Sequence, residues 1–373
     1  MHTDHPLVDA ARRFVADCVA PRLDAGDPPW LDGALARSAA GFGLLGITVP
    51  AAFGGADAGF MAKARVSEEL SRADFGLAMA LINSHNVADN LARNADPEVA
   101  RRYVSEIVAG RLAACTALTE PGAGSDFASI TTTARQDGGE WVLDGTKAWI
   151  INATRSGVVI LYAQTQPGSG AAGIASFVVD ASRAGFVREA PLTRALPALG
   201  TGAFRLVGYR ASANEMLVPP GQAFKRALTS INGARIYVAA MCCGMVGAAL
   251  DVAIAYGGAR HSFGKPLLAH QAWRHALADA AVELEAARLL VYDAARRLEN
   301  GEDVQGGAAR AKVFATGMAQ RQLTALLHAM GAAGLSDRHP FLRHLESAQA
   351  AAFTDGSTEM LKERIAREFG SQA

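Results

Sequence analysis

The sequence predicts an α+β chain in three parts: an N-terminal helical domain (1–111), a central antiparallel β-barrel or sandwich (112–218) and a C-terminal four-helix bundle (219–373). Three observations lead there. The first hundred residues show apolar positions recurring every three and four. From about Leu112 the pattern changes to short alternating or β-branched runs separated by Gly, Asp and Ser. After Pro219-Pro220-Gly221 it returns to long runs, with no proline between Pro220 and Pro266 or between Pro266 and Pro340.

In order, the N-terminal helices are expected at Leu7–Ala20, Leu31–Phe42, Met61–Arg72, Leu77–Arg93 and Glu98–Ala109. Seven strands follow, at Ala113–Thr119, Ile130–Arg135, Trp141–Asp144, Ala148–Asn152, Val158–Gln164, Ile174–Asp180 and Phe204–Tyr209, with Gly168-Ser169-Gly170 as a hairpin tip. The long helices are Gln222–Arg260, His270–Glu299 and Gly306–Met330. Two shorter ones, Phe341–Ala351 and Glu359–Phe369, close the chain.

Composition narrows the function. The 36 basic and 36 acidic residues cancel and no basic stripe exists, which argues against nucleic acid as a partner. The apolar runs, such as Ala239–Val246, read as too short and interrupted to span a membrane. Met1–His5 lacks the pattern of a secretory leader, and Cys18, Cys115, Cys242 and Cys243 have no metal-ligand spacing. The adjacent Cys242 and Cys243 read as core packing. Together these features point to the cytoplasm.

Thr119-Glu120-Pro121-Gly122-Ala123-Gly124-Ser125-Asp126 ends a strand with two glycines and two hydroxyls able to bond a phosphate or a ring edge. Asp144-Gly145-Thr146-Lys147-Ala148-Trp149-Ile150 follows with an aromatic face. Backbone amides and an aromatic plate suit a flat, phosphorylated cofactor.

These two segments, with Arg260-His261-Ser262-Phe263-Gly264-Lys265-Pro266, His270-Gln271 and Asp355-Gly356-Ser357-Thr358-Glu359, resemble the acyl-CoA dehydrogenase superfamily, in the same order and over essentially the whole chain. The resemblance implies FAD. It places Leu118 and Thr119 at the flavin pyrimidine edge, Ser125 by the diphosphate and the substrate's thioester arm, Gly124 among the cofactor contacts, and Trp149 over the ring. Ile151, Ser357 and Glu359 fall at further cofactor positions. Arg260, Ser262, Phe263 and Gln271, with His328 and Gly331, would meet the FAD of a neighbouring subunit, so a homo-oligomer, a tetramer or dimer, is implied. Arg260 also offers planar donors suited to a diphosphate.

The family takes a proton from the α carbon of an acyl thioester while a hydride leaves the β carbon for the flavin. Asp355 matches the base, usually a glutamate. Aspartate is one methylene shorter, about 1–1.5 Å, and a misplacement of about 1 Å can cost on the order of a hundredfold. Asp355 also reads as a helix N-cap. The family's alternative base position falls on Gly233-Ala234, which offers no carboxylate. Ile151 stands where a hydroxyl is usual near flavin N5, Asn232 where an acid is usual near the CoA adenine, and Lys362 replaces an arginine. Arg235 holds either local backbone or a substrate phosphate. His85 and Asp89, four apart on one helix face, bind a polar acyl group, serve as a second acid–base pair, or form a solvated polar face with Asn83, Asn86 and Asn90. The substrate is an acyl-CoA or an acyl-carrier-protein thioester, and the electron acceptor an electron-transfer flavoprotein or oxygen. A nitroalkane-oxidase-like flavoprotein and a non-oxidising homologue that retains FAD are the alternatives.

Overall fold

The computed structural model describes residues 5–27, 30–190, 193 and 196–370. Met1–Asp4 of the leader reading lie outside them, as do Pro28 and Pro29. The chain divides into two compact units, each assembled from separated segments.

One unit gathers the described residues of 1–29, 60–78 and 231–373. Its first helix, α1 (Pro6–Phe14), has Pro6 at its start, where a missing N–H costs nothing, and passes through one π-helical turn into α2 (Ala20–Asp24). The next helix, α3 (Gly33–Gly41), belongs to the other unit and is capped by Asp32, which accepts from the Leu35 amide at 2.7 Å. Then come α4 (Phe60–Ser71) of the first unit, α5 (Phe75–Asn94), which begins in the first unit and continues in the second, and α6 (Pro97–Val108) of the second. Asp74 caps α5 through the Leu77 amide at 2.7 Å, and Asp96 caps α6 through Glu98 at 2.9 Å. Thus α3, α5 and α6 each start where the sequence supplies an aspartate.

The second unit, 30–59 and 79–230, contains one eight-stranded sheet. Its strands are β1 (Ala114–Ala117), β2 (Thr133–Asp137), β3 (Glu140–Ile150), β4 (Val158–Gln164), β5 (Ile174–Asp180), β6 (Phe186–Arg188), β7 (Gly202–Ser212) and β8 (Met216–Val218). The path runs β6-β7-β3-β2-β4-β5-β8, with β1 on β4. The sheet is mixed, which corrects the antiparallel expectation: β1 lies parallel to β4 (Ala114↔Val158 to Ala117↔Leu161) and β2 meets β4 in parallel at Thr133↔Gln164. The two strands expected at 141–144 and 148–152 are one strand, β3, bulged at both ends of a short insert. Its register against β7 shifts between Leu143 and Gly145 and again between Lys147 and Ile150. Gly145 has φ +152, and a Cβ there would lie 2.5 Å from Thr132 Oγ1, so only glycine fits. One face of the sheet buries Leu143, Leu161, Phe177, Phe204 and Tyr209.

The C-terminal helices are α7 (Ala223–Ala259), α8 (Gln271–Glu299), α9 (Gln305–Met330), α10 (Phe341–Phe353) and α11 (Thr358–Gly370). A hairpin, β9 (His261–Ser262) and β10 (Lys265–Pro266), joins α7 to α8. α8, α10 and α11 pack on α9, and α4 packs on α8. α7 is long and apolar enough to cross a membrane, with a mean hydropathy of 2.0 over its most apolar window, but 72% of that window is buried within the protein. It is a core helix, enclosed on all sides from Ile236 to Val246. It approaches α4 so closely that a Cβ on Gly244 would lie 2.1 Å from the Glu68 carbonyl, and Ser71 Oγ donates to Met241 O at 2.9 Å. Cys242 and Cys243 are buried in this packing, and burial pushes the Cys242 thiol up to about 12.

Candidate active site

In the sheet unit, the Thr119–Asp126 turn is built on a buried ion pair. Glu120 accepts from the Thr131 amide (2.7 Å) and hydroxyl (2.8 Å), the Thr132 amide (3.0 Å) and Lys147 Nζ (2.8 Å). Lys147 also donates to Leu118 O at 3.0 Å, and the Ala148 amide donates to Thr119 O at 3.1 Å. Both charged side chains are all but inaccessible to solvent. Burial raises the Glu120 carboxyl, but Lys147 and the threonine donors outweigh it and hold the carboxyl down at about 2. Burial pushes the Lys147 ammonium down to about 8 against the pull of Glu120. The pair therefore locks Leu118 and Thr119 to the strand that presents Trp149.

Trp149 has φ +60, and its residue surface is 57% exposed although its neighbours Ala148 and Ile150 are buried. A bulky residue in the left-handed region is strained, and strain of this kind persists where surrounding structure enforces it. Gly124 and Ser125 lie exposed, and a Cβ at Gly122 or Gly124 would meet nothing, so the turn borders open space. Ile151 is half-buried at the end of β3.

His85 and Asp89 are not brought to each other. His85 is fully buried, with Nε2 3.0 Å from Thr48 Oγ1 and Nδ1 3.3 Å from Leu45 O. Asp89 accepts from Arg93 Nε at 2.9 Å, and Arg93 donates in turn to Thr48 O at 2.6 Å. The two side chains tie the 45–48 segment to α5, and the enclosed His85 corrects the reading of the pair as a solvated polar face.

In the helical unit, Asp355 and Gly356 connect α10 to α11 with φ +57 and +108. Arg235, on α7, donates from Nε to Asp355 O at 3.1 Å and from Nη1 to Asn232 Oδ1 at 2.8 Å. Arg235 thus holds local backbone, and Asn232 is its support. Lys312, on α9 and fully buried, donates to Gly356 O. The Asp355 residue is half-buried, yet its Oδ2 is inaccessible and has no hydrogen-bond partner. Burial raises the carboxyl above its ordinary value, against the lowering effect of Lys312 and Arg235. Asp355 is not the cap of α11. That position belongs to Ser357, whose Oγ faces the Met360 amide at 3.4 Å, while the left-handed φ of Asp355 points its carboxylate elsewhere. Glu359 is exposed in the first turn of α11.

The β9–β10 hairpin carries Phe263 at its tip with φ +49 and 94% of its surface exposed. Arg260 and Gln271 flank the hairpin, both exposed, and His270 Nε2 lies 3.0 Å from Ser262 O. Trp273 Nε1 donates to Ala329 O at 3.0 Å, which anchors the start of α8 to the end of α9, where His328 and Gly331 are exposed.

Two further lysines belong to these sites: Lys147, within the Asp144–Ile150 segment but with no role assigned from the sequence, and Lys312. Lys312 had a signal: it falls in the small apolar row Ala308, Ala311, Ala315 that faces the core of α9, where a lysine needs a partner.

Three family models match this chain: the N-terminal domain of acyl-CoA dehydrogenases over residues 2–111, their middle domain over 115–207, and their C-terminal domain over 221–370. The mitochondrial short-chain specific acyl-CoA dehydrogenase of Bos taurus is 34% identical over 323 residues, covering 85% of this chain and 78% of that protein. Among solved structures, butyryl-CoA dehydrogenase from Megasphaera elsdenii superposes with a TM-score of 0.90 at 27% identity, covering 97% of each chain. PigA, solved with FAD and proline, superposes with a TM-score of 0.93 at 25% identity, covering 100% of this chain and 99% of that one.

Proposed function

The chain belongs to the acyl-CoA dehydrogenase family, and from that premise we propose that it desaturates the Cα–Cβ bond of an acyl thioester with Asp355 as the base. It is an FAD-dependent oxidoreductase acting on CH–CH bonds. The observation that carries the assignment of Asp355 is its carboxylate: a buried Oδ2 without a partner, on a strained residue, at the position where the family has its base. Buried polar atoms are nearly always paired, and the exceptions concentrate at sites with chemistry to do.

The residues fit the cofactor. The turn at Gly122–Ser125 opens onto unfilled space, and Trp149 offers a bare ring held in place by the strand behind it. Leu118, Thr119, Gly124, Ser125 and Ile151 would line its flavin and diphosphate; Ser357 and Glu359 fall at further cofactor positions by the family resemblance. Arg260, Ser262, Phe263, Gln271, His328 and Gly331 would serve the FAD of a second subunit, for which the 94% exposure of Phe263 is the support, so the active form is a homo-oligomer. FAD, when bound, supplies the hydride acceptor. Asp355 takes the α proton, and its raised pKa makes it a stronger base than a free aspartate. Its short side chain starts from a turn fixed at two carbonyls, by Arg235 and by Lys312, so its reach depends on that turn.

The substrate is an acyl-CoA or the equivalent carrier-protein thioester, and the acceptor is an electron-transfer flavoprotein or oxygen. Four unpaired cysteines suit a reducing compartment such as the cytoplasm. Anaerobic mixing with a series of acyl-CoA and acyl-carrier thioesters tests the reading. At least one should bleach the visible flavin band, and reoxidation by an electron-transfer flavoprotein or by air identifies the acceptor. If no thioester reduces the flavin, the dehydrogenase reading fails; turnover of nitroethane with oxygen uptake would replace it.

A further inference from the structure

The charges around the Asp355–Gly356 turn are arranged unusually. Lys312 is fully buried, and taking an ammonium out of water is costly unless its charge is used. Its hydrogen bond goes to Gly356 O, a neutral acceptor that a glutamine could serve equally well. Arg235 likewise spends its donors on Asp355 O and Asn232 Oδ1. Two cations thus surround a carboxylate while aiming at its main chain, and Oδ2 stays free. A direct ion pair would stabilise the same negative charge but occupy the oxygen that must accept a proton.

We propose that Lys312 is a positioning residue of this site: its ammonium fixes the left-handed Asp355–Gly356 turn through the Gly356 carbonyl, and its charge favours the ionised form of the adjacent carboxylate without bonding to it. The proposal rests on the reading of Asp355 as the base. The groups that face Lys312 are Asp355 from the turn, and Arg235 and Cys242 from α7; Arg364 of α11 acts on Arg235 and is itself offset by Asp303 and Glu368. Burial pushes the Lys312 ammonium down to about 8, with Asp355 pulling it up, so it is charged at neutral pH. The Cys242 thiol is neutral there.

The experiment uses the FAD-loaded protein with Lys312→Gln, which keeps a donor for Gly356 O and removes the charge. Bound FAD is measured by its absorbance. The Asp355 carboxyl is titrated by infrared difference spectroscopy, with Asp355→Asn identifying its band, and the pH dependence of anaerobic flavin reduction is followed with butyryl-CoA. Lys312→Gln should retain FAD while the carboxyl titration, and the acid limb of the reduction rate, move up by about one pH unit or more. A merely structural lysine would change stability and leave the titration in place. A folded, FAD-loaded Lys312→Gln protein whose Asp355 titrates as in the wild type overturns the proposal. Lys312→Arg keeps the charge on a bulkier head: titration close to wild type supports the proposal, and a shift as large as that of the glutamine variant overturns it. Failure of the base assignment would look different, because Asp355→Asn would then still reduce its flavin.

Discussion

Replacing Glu120 by alanine removes the acceptor of four hydrogen bonds in a region closed to water. Lys147 Nζ would keep only Leu118 O at 3.0 Å, and the Thr131 and Thr132 amides would lose their partner. Breaking a buried pair from one side typically costs about 3–5 kcal/mol, because the remaining charge stays uncompensated. Burial already pulls Lys147 down to about 8 with its partner present, so the orphaned ammonium is poorly tolerated. Against a total stability of about 5–15 kcal/mol, a loss near 4 is severe. The pair as a whole is another matter: swapping both charges for apolar groups is often close to neutral. Glu120→Ala/Lys147→Met should therefore recover at least about 2 kcal/mol of the single-variant loss. Urea unfolding of the wild type, both single variants and the double variant closes the cycle, and FAD release reports on the turn. The reasoning is wrong if Glu120→Ala costs less than about 1 kcal/mol, the range of an exposed pair, or if the double variant is no more stable than Glu120→Ala.

Four further outcomes are expected. Asp355→Asn should keep FAD and slow flavin reduction by an acyl thioester by about 10²–10⁴-fold in stopped-flow measurements. In the wild type, that rate should fall with decreasing pH through a midpoint above the ordinary aspartate value, since burial raises the carboxyl. Glu120 has a depressed folded-state pKa, so its contribution to stability is fully present above about 4.5 and is lost as the pH falls toward about 2; acid titration of Glu120→Gln should show a smaller loss over that window. Trp149→Gly should relieve the left-handed strain and stabilise the FAD-free protein by about 1 kcal/mol while weakening FAD binding, as read by calorimetry and by flavin fluorescence.

The sequence showed the three-part order because helix caps and proline placement are local signals: Asp32, Asp74 and Asp96 each sit where the chain turns into a helix. Strand neighbours are not local. The run Ala114–Ala117 marks a buried strand and says nothing about β4 lying parallel beside it. Asp144-Gly145 reads as a turn from composition, and only the contact with Thr132 shows it to be a bulge within one strand. β6 and β8, three residues each, are too short to show a period. The α7 sequence looks interrupted because its small residues dilute each short run, although the whole helix is strongly apolar. Asp355 was legible as a candidate base through resemblance, but its competing role as a cap could not be settled without its φ angle. Lys312 acts on a residue 44 positions away, a distance at which spacing conveys no contact.

Among the described residues, six non-glycine residues adopt positive φ: Asp57, Trp149, Asn152, Leu196, Phe263 and Asp355. Three of them present the ring, the hairpin tip and the carboxylate on which the proposed activity rests. Selection of variants for heat resistance alone would reward glycine at these places, since each side chain taxes the backbone that bears it. An unguided stabilisation campaign would thus tend to erase the site while improving the scaffold. A screen that also requires flavin colour would protect Trp149 and Phe263, and only a screen that requires substrate bleaching would protect Asp355.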